Sequence, residues 1–257
     1  MNNKLESLIL TSDYKSDKIK NSLAKGLSIM QPYVFPYIGY FQLIEASDEI
    51  VFYDDVNFIK KGWVNRNRIL LNKKDFLFTI PIEKASQNKK INQTKIKLDS
   101  KSRRKLIMQM KSAYLKAPFF RKVMILIEET FGMEYDNVGD MGIQSISFVY
   151  EYLGKSFKWT KSSISSSTSI DLVKADRLIS ITKQFKYDRY INPVGGQEIY
   201  QKGYFKKQGI KLQFLKSGKI EYVQSGNEFI PSLSIIDVLM YNDKPTVLQF
   251  LKNYKLI

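Results

Sequence analysis

Apolar and polar positions fall in blocks along the chain, and the lengths of these blocks predict separate strands and helices. An apolar run at residues 27–30 predicts a short buried strand, and a second run at residues 49–53 predicts another. Between them, residues 31–39 predict a loop because two prolines interrupt it, and residues 41–46 predict a short helix. Strand, loop, helix and strand in this order are typical of a βαβ unit, which has its site at the carboxyl ends of the strands.

The middle of the chain combines a hairpin pattern with helical spacing. Residues 66–71 and 76–82 flank the turn residues Asn72-Lys73-Lys74-Asp75, a hairpin signature. Residues 95–98 predict one more strand. From Ser102 to about Gly154, apolar residues recur at helical spacing and predict helices, the first two separated by a proline.

A second unit of strand, turn, helix and strand is predicted in the last third of the chain. The Ser/Thr-rich residues 159–169 precede a helix, so their hydroxyls would lie at a helix N-terminus. The core positions predicted for that helix are Leu172, Leu178, Ile179, Thr182 and Phe185.

A strand is then predicted to run into Gly195-Gly196. A helix over residues 197–208, a C-cap at Gly209 and a strand over residues 210–215 are predicted to follow. Parallel connections of this length are usually right-handed crossovers.

Two helices, over residues 232–240 and 246–251, close the chain. The order of elements predicts an α/β protein with a mainly parallel, Rossmann-like sheet flanked by helices and extended by a β-hairpin.

The domain organisation follows from length and local composition. Residues 1–26 are polar and predict a loosely attached N-terminal extension. Residues 27–257 predict one α/β domain with lobes of about 27–155 and 156–257. No apolar run approaches the roughly 18 residues of a membrane span, and no secretory signal is recognisable. We therefore expect a cytoplasmic protein without a membrane span.

Histidine and cysteine are both absent, and this narrows the chemistry. The chain can form no Ser-His-Asp or Cys-His system and no zinc site built on these residues. A general acid or base must be Asp, Glu, Lys or Tyr. We expect neither zinc nor haem, and a metal ion would have to be Mg²⁺ or Ca²⁺ held by carboxylate and carbonyl oxygens.

The formal net charge of +16 indicates an anionic partner. Nucleic acid is one candidate. The basic runs Lys60-Lys61, Arg103-Arg104-Lys105 and Lys206-Lys207 are short and far apart, however, so an anionic small molecule such as a phosphate ester is favoured. An acidic carrier protein would also suit this charge.

The first candidate segment is Q-P-Y-V-F-P-Y-I-G-Y-F at residues 31–41. Tyr33, Tyr37 and Tyr40 could present hydroxyls and flat faces to a ligand, together with Gln31, on a backbone fixed by prolines. The alternative is a rigid loop packed by aromatic side chains, without a ligand.

The second and third candidate segments are the pair Asp54-Asp55 and the run K-K-G-W-V-N-R-N-R at residues 60–68. A carboxylate pair at a strand end could hold a metal, orient an amine or sugar hydroxyl, or act as a base. It could equally cap a turn and pair with a nearby cation. The run supplies a catalytic candidate in Lys61, a stacking surface in Trp63 and amides in Asn65 and Asn67. It also supplies the guanidiniums of Arg66 and Arg68 for a substrate, and one of them could bind a phosphate or carboxylate bidentately while the other stays structural. The alternative reading is a basic strand at a sheet edge.

Two further segments predict anion cradles at helix N-termini. These are Ser167 and Thr168 in the Ser/Thr-rich connection, and Gly195 and Gly196 before the next predicted helix. A glycine pair is also common in tight turns.

These segments together resemble the WbqC-like protein family. The resemblance is carried by Q-P-Y-x-F-P-Y-x-G-Y-F, D-D-V, K-x-G-W-x-N-R-N-R-I, the Ser/Thr run, G-G-x-x-x-Y, F-x-x-x-G-I and Y-x-Q…F-x-P-x-L-S-I-I-D, in order from about Leu27 to Met240. Family members occur in bacterial O-antigen and other surface-polysaccharide gene clusters, so the resemblance implies a role in making or decorating an unusual sugar. One departure is that a histidine expected near residues 102–105 is absent.

From these residues we expect a transferase that adds an acyl or aminoacyl group to the amine of a nucleotide-linked amino sugar. Asp55 would take the amine proton, with Asp54 beside it, and Asn65 or Asn67 would stabilise the oxyanion. Trp63 and the tyrosines would stack on base or sugar, and the anion cradles would hold the diphosphate. This mechanism requires that the three candidate segments converge around one anionic ligand.

Two other functions stay open. The protein could bind or modify nucleic acid, as its charge and aromatic content indicate, or it could be a non-catalytic adaptor that binds a sugar nucleotide within a biosynthetic complex.

Overall fold

A computed structural model of the protein describes residues 26–225 and 228–257. The predicted N-terminal extension therefore lies outside the described residues, apart from Gly26. The strands are β1 (Leu27–Met30), β2 (Glu49–Phe52), β3 (Arg66–Leu71), β4 (Lys74–Thr79), β5 (Trp159–Lys161), β6 (Arg189–Pro193), β7 (Lys211–Ser217) and β8 (Tyr254–Leu256). The α-helices are α1 (Ile38–Glu45), α2 (Ser100–Tyr114), α3 (Phe120–Gly132), α4 (Val138–Tyr152), α5 (Ser162–Ser165), α6 (Lys174–Gln184), α7 (Lys202–Lys207), α8 (Ile235–Tyr241) and α9 (Lys244–Lys252).

Across the described residues, six strands form one sheet in the order β5-β2-β1-β6-β7-β8. The first five are parallel, and β8 is antiparallel to β7. The remaining two strands, β3 and β4, form a separate antiparallel hairpin. The predicted α/β class, with a mainly parallel Rossmann-like sheet and a hairpin extension, is confirmed.

The sheet is buried because helices cover both of its faces. Ile50 and Phe52 of β2 point into the larger core cluster, to which α1 to α4, α8 and α9 contribute. Val51 points to the opposite face and packs in a second cluster with residues of α6 and α7. Successive side chains of a strand point to opposite faces, so a strand covered on both sides is an unbroken apolar run.

The hairpin turns at Asn72 and Lys73, which both have positive φ (53° and 62°). This is the pattern of a type I′ turn, whose twist matches that of the flanking strands, and Asn adopts positive φ more readily than most residues. The predicted hairpin is confirmed, although β4 begins at Lys74, inside the predicted turn.

Helices α2, α3 and α4 occupy the chain between the hairpin and β5, as the apolar spacing predicted. Asp99 caps α2 through a 2.7 Å hydrogen bond from Ser102 N, and Asn137 caps α4 through a 3.0 Å bond from Asp140 N.

Two predicted elements and one predicted core position were wrong. Residues 95–98 form no strand and make only an isolated bridge between Ile82 and Ile96, because the segment opposite contains Pro81, which has no N–H to extend a ladder. The helix predicted over residues 197–208 is instead a 3₁₀ helix (Val194–Glu198) and the short α7, in which Phe205 alone is buried.

The third error concerns Leu172, which was predicted to be a core position. It lies before α6 and is 42% exposed.

One sheet includes strands from both predicted lobes, since β1 pairs with β6 as well as with β2. The division into lobes stays a prediction. Among the described residues, no helix has both the length and the apolar character needed to cross a membrane.

Candidate functional site

Two pairs of polar residues meet at the carboxyl ends of neighbouring strands. β2 is followed by Asp54 and Asp55, and β5, its parallel neighbour, is followed by Ser162 and Ser163. Because parallel strands end at the same edge of a sheet, the carboxylates and the hydroxyls come together there. This edge is where open α/β sheets bind their ligands.

The serines donate hydrogen bonds to both carboxylates. Ser163 donates from Oγ to Asp54 Oδ2 at 2.6 Å and from its backbone N to Asp54 Oδ1 at 3.0 Å. Ser162 Oγ lies 2.5 Å from Asp55 Oδ1 and 3.2 Å from Asp54 Oδ1. Asp54 and Asp55 are only 2% and 5% exposed, so their charges depend on these donors and on a nearby cation.

Arg177, on α6, is that cation. Its Nη2 donates to Asp55 Oδ2, and its guanidinium lies 4.7 Å from the centre of the Tyr53 ring. Burial raises the pKa of Tyr53, and the guanidinium opposes this rise. Arg177 Nε is buried and has no hydrogen-bond partner among the described residues.

A cavity of about 210 Å³ opens above this cluster, and we call it the aspartate cavity. Its polar lining residues are Asp55, Lys90, Asn92, Gln93, Ser163 and Ser167. Lys90 brings a positive charge to the lining. Asn92 Oδ1 is a buried acceptor that no described residue fills. The cavity therefore combines a hydroxyl, a carboxylate and an ammonium group.

A second cavity, of about 280 Å³, lies between the loop after β1 and the hairpin, and we call it the tyrosine–tryptophan cavity. It is lined by Tyr33, Pro36, Tyr37, Trp63, Asn67, Arg68 and Ser232. It shares no lining residue with the aspartate cavity. Flat aromatic walls with a guanidinium at the side suit a ring that carries polar groups.

The loop that forms one wall of this cavity is fixed at Phe35, a non-glycine residue with positive φ (45°). Phe35 N donates to Ser145 Oγ at 2.9 Å. Phe35 O accepts from Asn67 Nδ2 and from Ser234 Oγ, each at 2.7 Å. Three distant parts of the chain thus hold Phe35 in its strained backbone conformation.

Burial keeps the phenols of this cavity protonated. It raises the pKa of Tyr33 to about 12, and the neighbouring Tyr37 adds to the rise. Burial also raises the pKa of Tyr37. At neutral pH both side chains are hydrogen-bond donors and apolar walls.

Four of the predicted site residues lie in or beside the hairpin and have different surroundings. Trp63 is 44% exposed, and the Arg66 guanidinium lies 5.5 Å from the centre of its ring while Nε donates to Gly62 O. Arg68 pairs with Asp75 at 3.1 Å, and its buried Nε has no partner among the described residues. Lys61 is exposed, with positive φ, and lines neither cavity.

The two asparagines hold backbone carbonyls instead of meeting Asp55. Asn65 Nδ2 donates to Ile80 O at 2.8 Å, and Asn67 Nδ2 donates to Phe35 O at 2.7 Å. One N–H of each side-chain amide is therefore occupied, and neither residue lines the aspartate cavity.

Tyr40, in α1, contacts Gln31, the first residue of the loop between β1 and α1. Tyr40 is buried, and its hydroxyl donates to Gln31 O at 2.9 Å. Tyr40 therefore supports the ring of Tyr33, 5.7 Å away, and lines neither cavity.

The predicted anion cradles do not lie at the N-termini of α-helices. Ser167 and Thr168 are exposed in a 3₁₀ helix (Ser167–Ser169) and precede α6 by several residues, because α6 begins only at Lys174. Ser167 nevertheless lines the aspartate cavity.

Gly195 and Gly196 lie within the 3₁₀ helix Val194–Glu198 and not before an α-helix. A Cβ at Gly196 would lie 1.9 Å from Asn192 Nδ2, whereas one at Gly195 would meet nothing within 4 Å. Gly196 is therefore explained by close packing.

The structure thus brings together two of the three candidate segments, the proline–tyrosine loop and the Trp/Asn/Arg run. It does not bring the aspartate pair into their cavity, so the convergence of all three segments around one ligand, which the predicted mechanism required, is not found. Among the described residues, no group of three or more acidic side chains could hold a metal ion.

Sequence reasoning missed Ser162, Ser163, Arg177 and Lys90. The serines follow a three-residue strand that was read as part of a connection, so their place beside Asp54 was hidden. Arg177 did carry a signal, because it stands four residues before the buried Ile181 on the apolar side of α6.

The fold and these cavities define an α/β protein whose polar groups collect at the carboxyl edge of a mostly parallel sheet. The chain belongs to the WbqC-like protein family, whose model matches residues 31–248. It is also similar to the uncharacterized protein Rv1507c of Mycobacterium tuberculosis, with 26% identity over 225 residues that cover 84% of this chain and 93% of the relative. No solved structure matches the chain significantly.

Proposed function

We propose that this protein is a cytoplasmic transferase of bacterial surface-polysaccharide biosynthesis, including that of O-antigen. It adds an acyl or aminoacyl group to the amine of a nucleotide-linked amino sugar. Family membership supports a role in modifying a sugar, because members occur in surface-polysaccharide gene clusters. The observation that carries the reaction type is the carboxylate of Asp55 in the wall of the aspartate cavity, beside hydroxyl and ammonium groups.

Acyl transfer to an amine needs a base for the amine proton and positive charge for the oxyanion. Asp55 is the base in this proposal, held in one orientation by Ser162 and Arg177. Lys90 supplies the positive charge. Asn65 and Asn67 do not line the aspartate cavity, and one N–H of each amide is bonded to a backbone carbonyl, so this proposal gives the oxyanion to Lys90.

In this proposal the tyrosine–tryptophan cavity binds the flat part of the nucleotide sugar, and the aspartate cavity binds the sugar that carries the amine. One ligand therefore occupies two cavities instead of the single one that the sequence predicted. The tyrosine–tryptophan cavity, with its volume of about 280 Å³, suits a single ring system, and Trp63 and Tyr33 supply apolar walls. Arg68 lies beside it for a phosphate or sugar oxygen. The acyl donor is a thioester or an activated amino acid, and a basic protein suits an acidic carrier.

The test is amide formation detected by mass spectrometry. The protein is incubated with nucleotide-linked amino sugars and with coenzyme A or carrier-protein thioesters. We expect the nucleotide sugar to gain the mass of one acyl group, and the corresponding sugar with a hydroxyl in place of the amine to stay unmodified. Asp55→Asn should lower the rate by about 10²-fold or more.

Glu128→Gln is the matched control, because Glu128 is a carboxylate paired with Lys111 between two helices and lines neither cavity. It should leave the rate unchanged. Thermal melting of both variants separates loss of chemistry from loss of folding.

Binding measurements with nucleotide sugars and with DNA or RNA, made beside the turnover assay, decide between the alternatives. Binding of nucleotide sugars without turnover would indicate the adaptor. The net charge of +16 is the observation behind the nucleic-acid alternative. If DNA or RNA binds with a steep salt dependence and no nucleotide sugar binds, the transferase proposal is wrong.

A further inference from the structure

Covalent acyl transfer in this chain must use a nucleophile other than cysteine and a base other than histidine, because both residues are absent. A hydroxyl becomes a nucleophile when a base lies within hydrogen-bond reach and a third group orients that base. The aspartate cavity contains one arrangement of this kind.

Ser163 and Asp54 form this arrangement. Ser163 Oγ donates to Asp54 Oδ2 at 2.6 Å. The other carboxylate oxygen, Oδ1, accepts from Ser163 N at 3.0 Å and from Ser162 Oγ at 3.2 Å, so the carboxylate cannot rotate freely. Asp54 is 2% exposed, which shields it from water, whereas Ser163 is half-buried and lines the cavity.

The neighbouring serines do not fit this role. Ser162 is fully buried and absent from the cavity lining. Ser165 donates its Oγ to Lys161 O at 2.8 Å, one helical turn back. Ser167 lines the cavity but is exposed and makes no hydrogen bond to a carboxylate among the described residues. Ser163 alone of these four combines access with a carboxylate partner.

We propose that Ser163 is the acyl-accepting nucleophile and Asp54 its general base, so that transfer proceeds through an ester on Ser163. This inference rests on the proposed function and specifies its route. Asp54 and Asp55 then have separate tasks, the first towards the hydroxyl and the second towards the incoming amine.

The atoms balance in two steps with a thioester donor. Ser163 Oγ attacks the thioester carbonyl, Asp54 accepts the hydroxyl proton, and the C–S bond breaks with its electron pair to sulfur, which takes the proton from Asp54. The amine of the sugar then attacks the ester carbonyl, Asp55 accepts the amine proton, and the C–O bond breaks. The departing Ser163 oxygen takes a proton from Asp54. Ser162 Oγ, 2.5 Å from Asp55 Oδ1 and 3.2 Å from Asp54 Oδ1, passes the amine proton from Asp55 to Asp54.

The first test needs no substrate, because a fluorophosphonate probe reacts with activated serines. We expect the full chain to be labelled at Ser163, as peptide mass spectrometry would show. Ser163→Ala and Asp54→Asn should each lower labelling by about 10²-fold or more. Ser165→Ala, two residues away in the same short helix, should be labelled as the unmodified chain is.

The second test uses acyl-coenzyme A without the amino sugar. We expect a hydroxylamine-sensitive acyl group on Ser163, which distinguishes an ester from an amide on lysine. A chain that gains neither label at Ser163 would overturn the inference, and so would labelling that survives in Ser163→Ala. Because Ser163→Ala removes only a hydroxyl, it stays decisive if Asp54→Asn does not fold.

The two proposals fail in different ways. If Ser163→Ala acylates nucleotide amino sugars at the full rate, the amine attacks the donor directly; the inference is then wrong and the transferase function stands. If the fluorophosphonate labels Ser163 but no nucleotide amino sugar accepts an acyl group, the nucleophile stands and the transferase function is wrong.

Discussion

At the scale of single residues, the ion pair of Asp55 and Arg177 dominates the carboxyl edge of the sheet, since both side chains are only 4% exposed. Removing one partner of a buried pair leaves an uncompensated charge in a medium that solvates it poorly. We therefore expect Arg177→Met to lower the free energy of unfolding by about 3–5 kcal/mol. Adding Asp55→Asn should recover part of this loss, as urea unfolding would measure.

The exposed pair of Lys111 and Glu128 is the control for this double-mutant cycle, with side chains 42% and 43% exposed. Its coupling should be no more than about 1 kcal/mol. Strictly additive effects of Asp55→Asn and Arg177→Met would contradict the prediction.

Tyr114 is a second residue on which buried polar groups depend. Its hydroxyl donates to Asp237 Oδ2 at 2.9 Å and accepts from Leu70 N at 3.2 Å. Tyr114→Phe should lower the free energy of unfolding by about 1–3 kcal/mol, because it leaves a buried donor and a buried acceptor short of a partner. Tyr152→Phe should change it by less than about 0.5 kcal/mol, since the Tyr152 hydroxyl bonds to no described residue. Equal effects of the two substitutions would refute this.

At this scale the sequence predicted Asp54 and Asp55 as site residues because a carboxylate pair directly followed a predicted strand. It could not predict their partners, because Ser162, Ser163 and Arg177 lie more than a hundred positions away and meet them only through the strand order. The roles predicted for Asn65 and Asn67 show the converse problem, since a polar residue in a hairpin can serve the backbone instead of a ligand.

At the scale of elements, α4 helps to hold the loop between β1 and α1 through one side chain. Ser145 Oγ accepts from Phe35 N and donates to Gly142 O at 2.7 Å. Ser145→Ala should lower the free energy of unfolding by about 1–3 kcal/mol, because the Phe35 N–H is left without a partner. Hydrogen exchange followed by mass spectrometry should show faster exchange in residues 31–37.

Ser147→Ala is the matched control, two residues along the same helix. Ser147 Oγ donates only to Ile143 O, within α4. It should leave exchange in the loop unchanged, and an equal acceleration in both variants would mean that Ser145 does not hold the loop.

Most elements were predictable because their signals are local. Apolar runs predicted β1 and β2, and helical spacing predicted α2 to α4. The helix predicted over residues 197–208 was wrong because a glycine pair and a glycine cap bracket a segment with one buried residue, Phe205, which gives no apolar stripe. The hairpin was predictable from its turn residues. The part of the molecule against which it packs was not predictable from the sequence.

At the scale of the whole molecule, buried tyrosines make stability depend on alkaline pH. Burial raises the pKa of Tyr33 and Tyr135 to about 12 and raises those of Tyr40 and Tyr190 well above the usual value. The folded state thus keeps protons that the unfolded state loses above about pH 10. The free energy of unfolding should therefore fall as the pH rises from about 10 to 12.

The absorbance of phenolate, recorded together with circular dichroism, shows whether tyrosine titration and unfolding occur together. We expect part of the sixteen tyrosines to titrate only as the fold is lost. In guanidinium chloride all of them should titrate together near pH 10. Full titration near pH 10 with an unchanged dichroism spectrum would be the opposite result.

The fixation of Phe35 has a consequence for how the protein is made. The two hydroxyls that hold this residue stand 110 and 199 positions further along the chain. A chain still leaving the ribosome therefore cannot hold the loop in its final shape until Ser234 has emerged. We expect that a ligand of the tyrosine–tryptophan cavity cannot guide folding before that point of translation and protects the loop from proteolysis only afterwards.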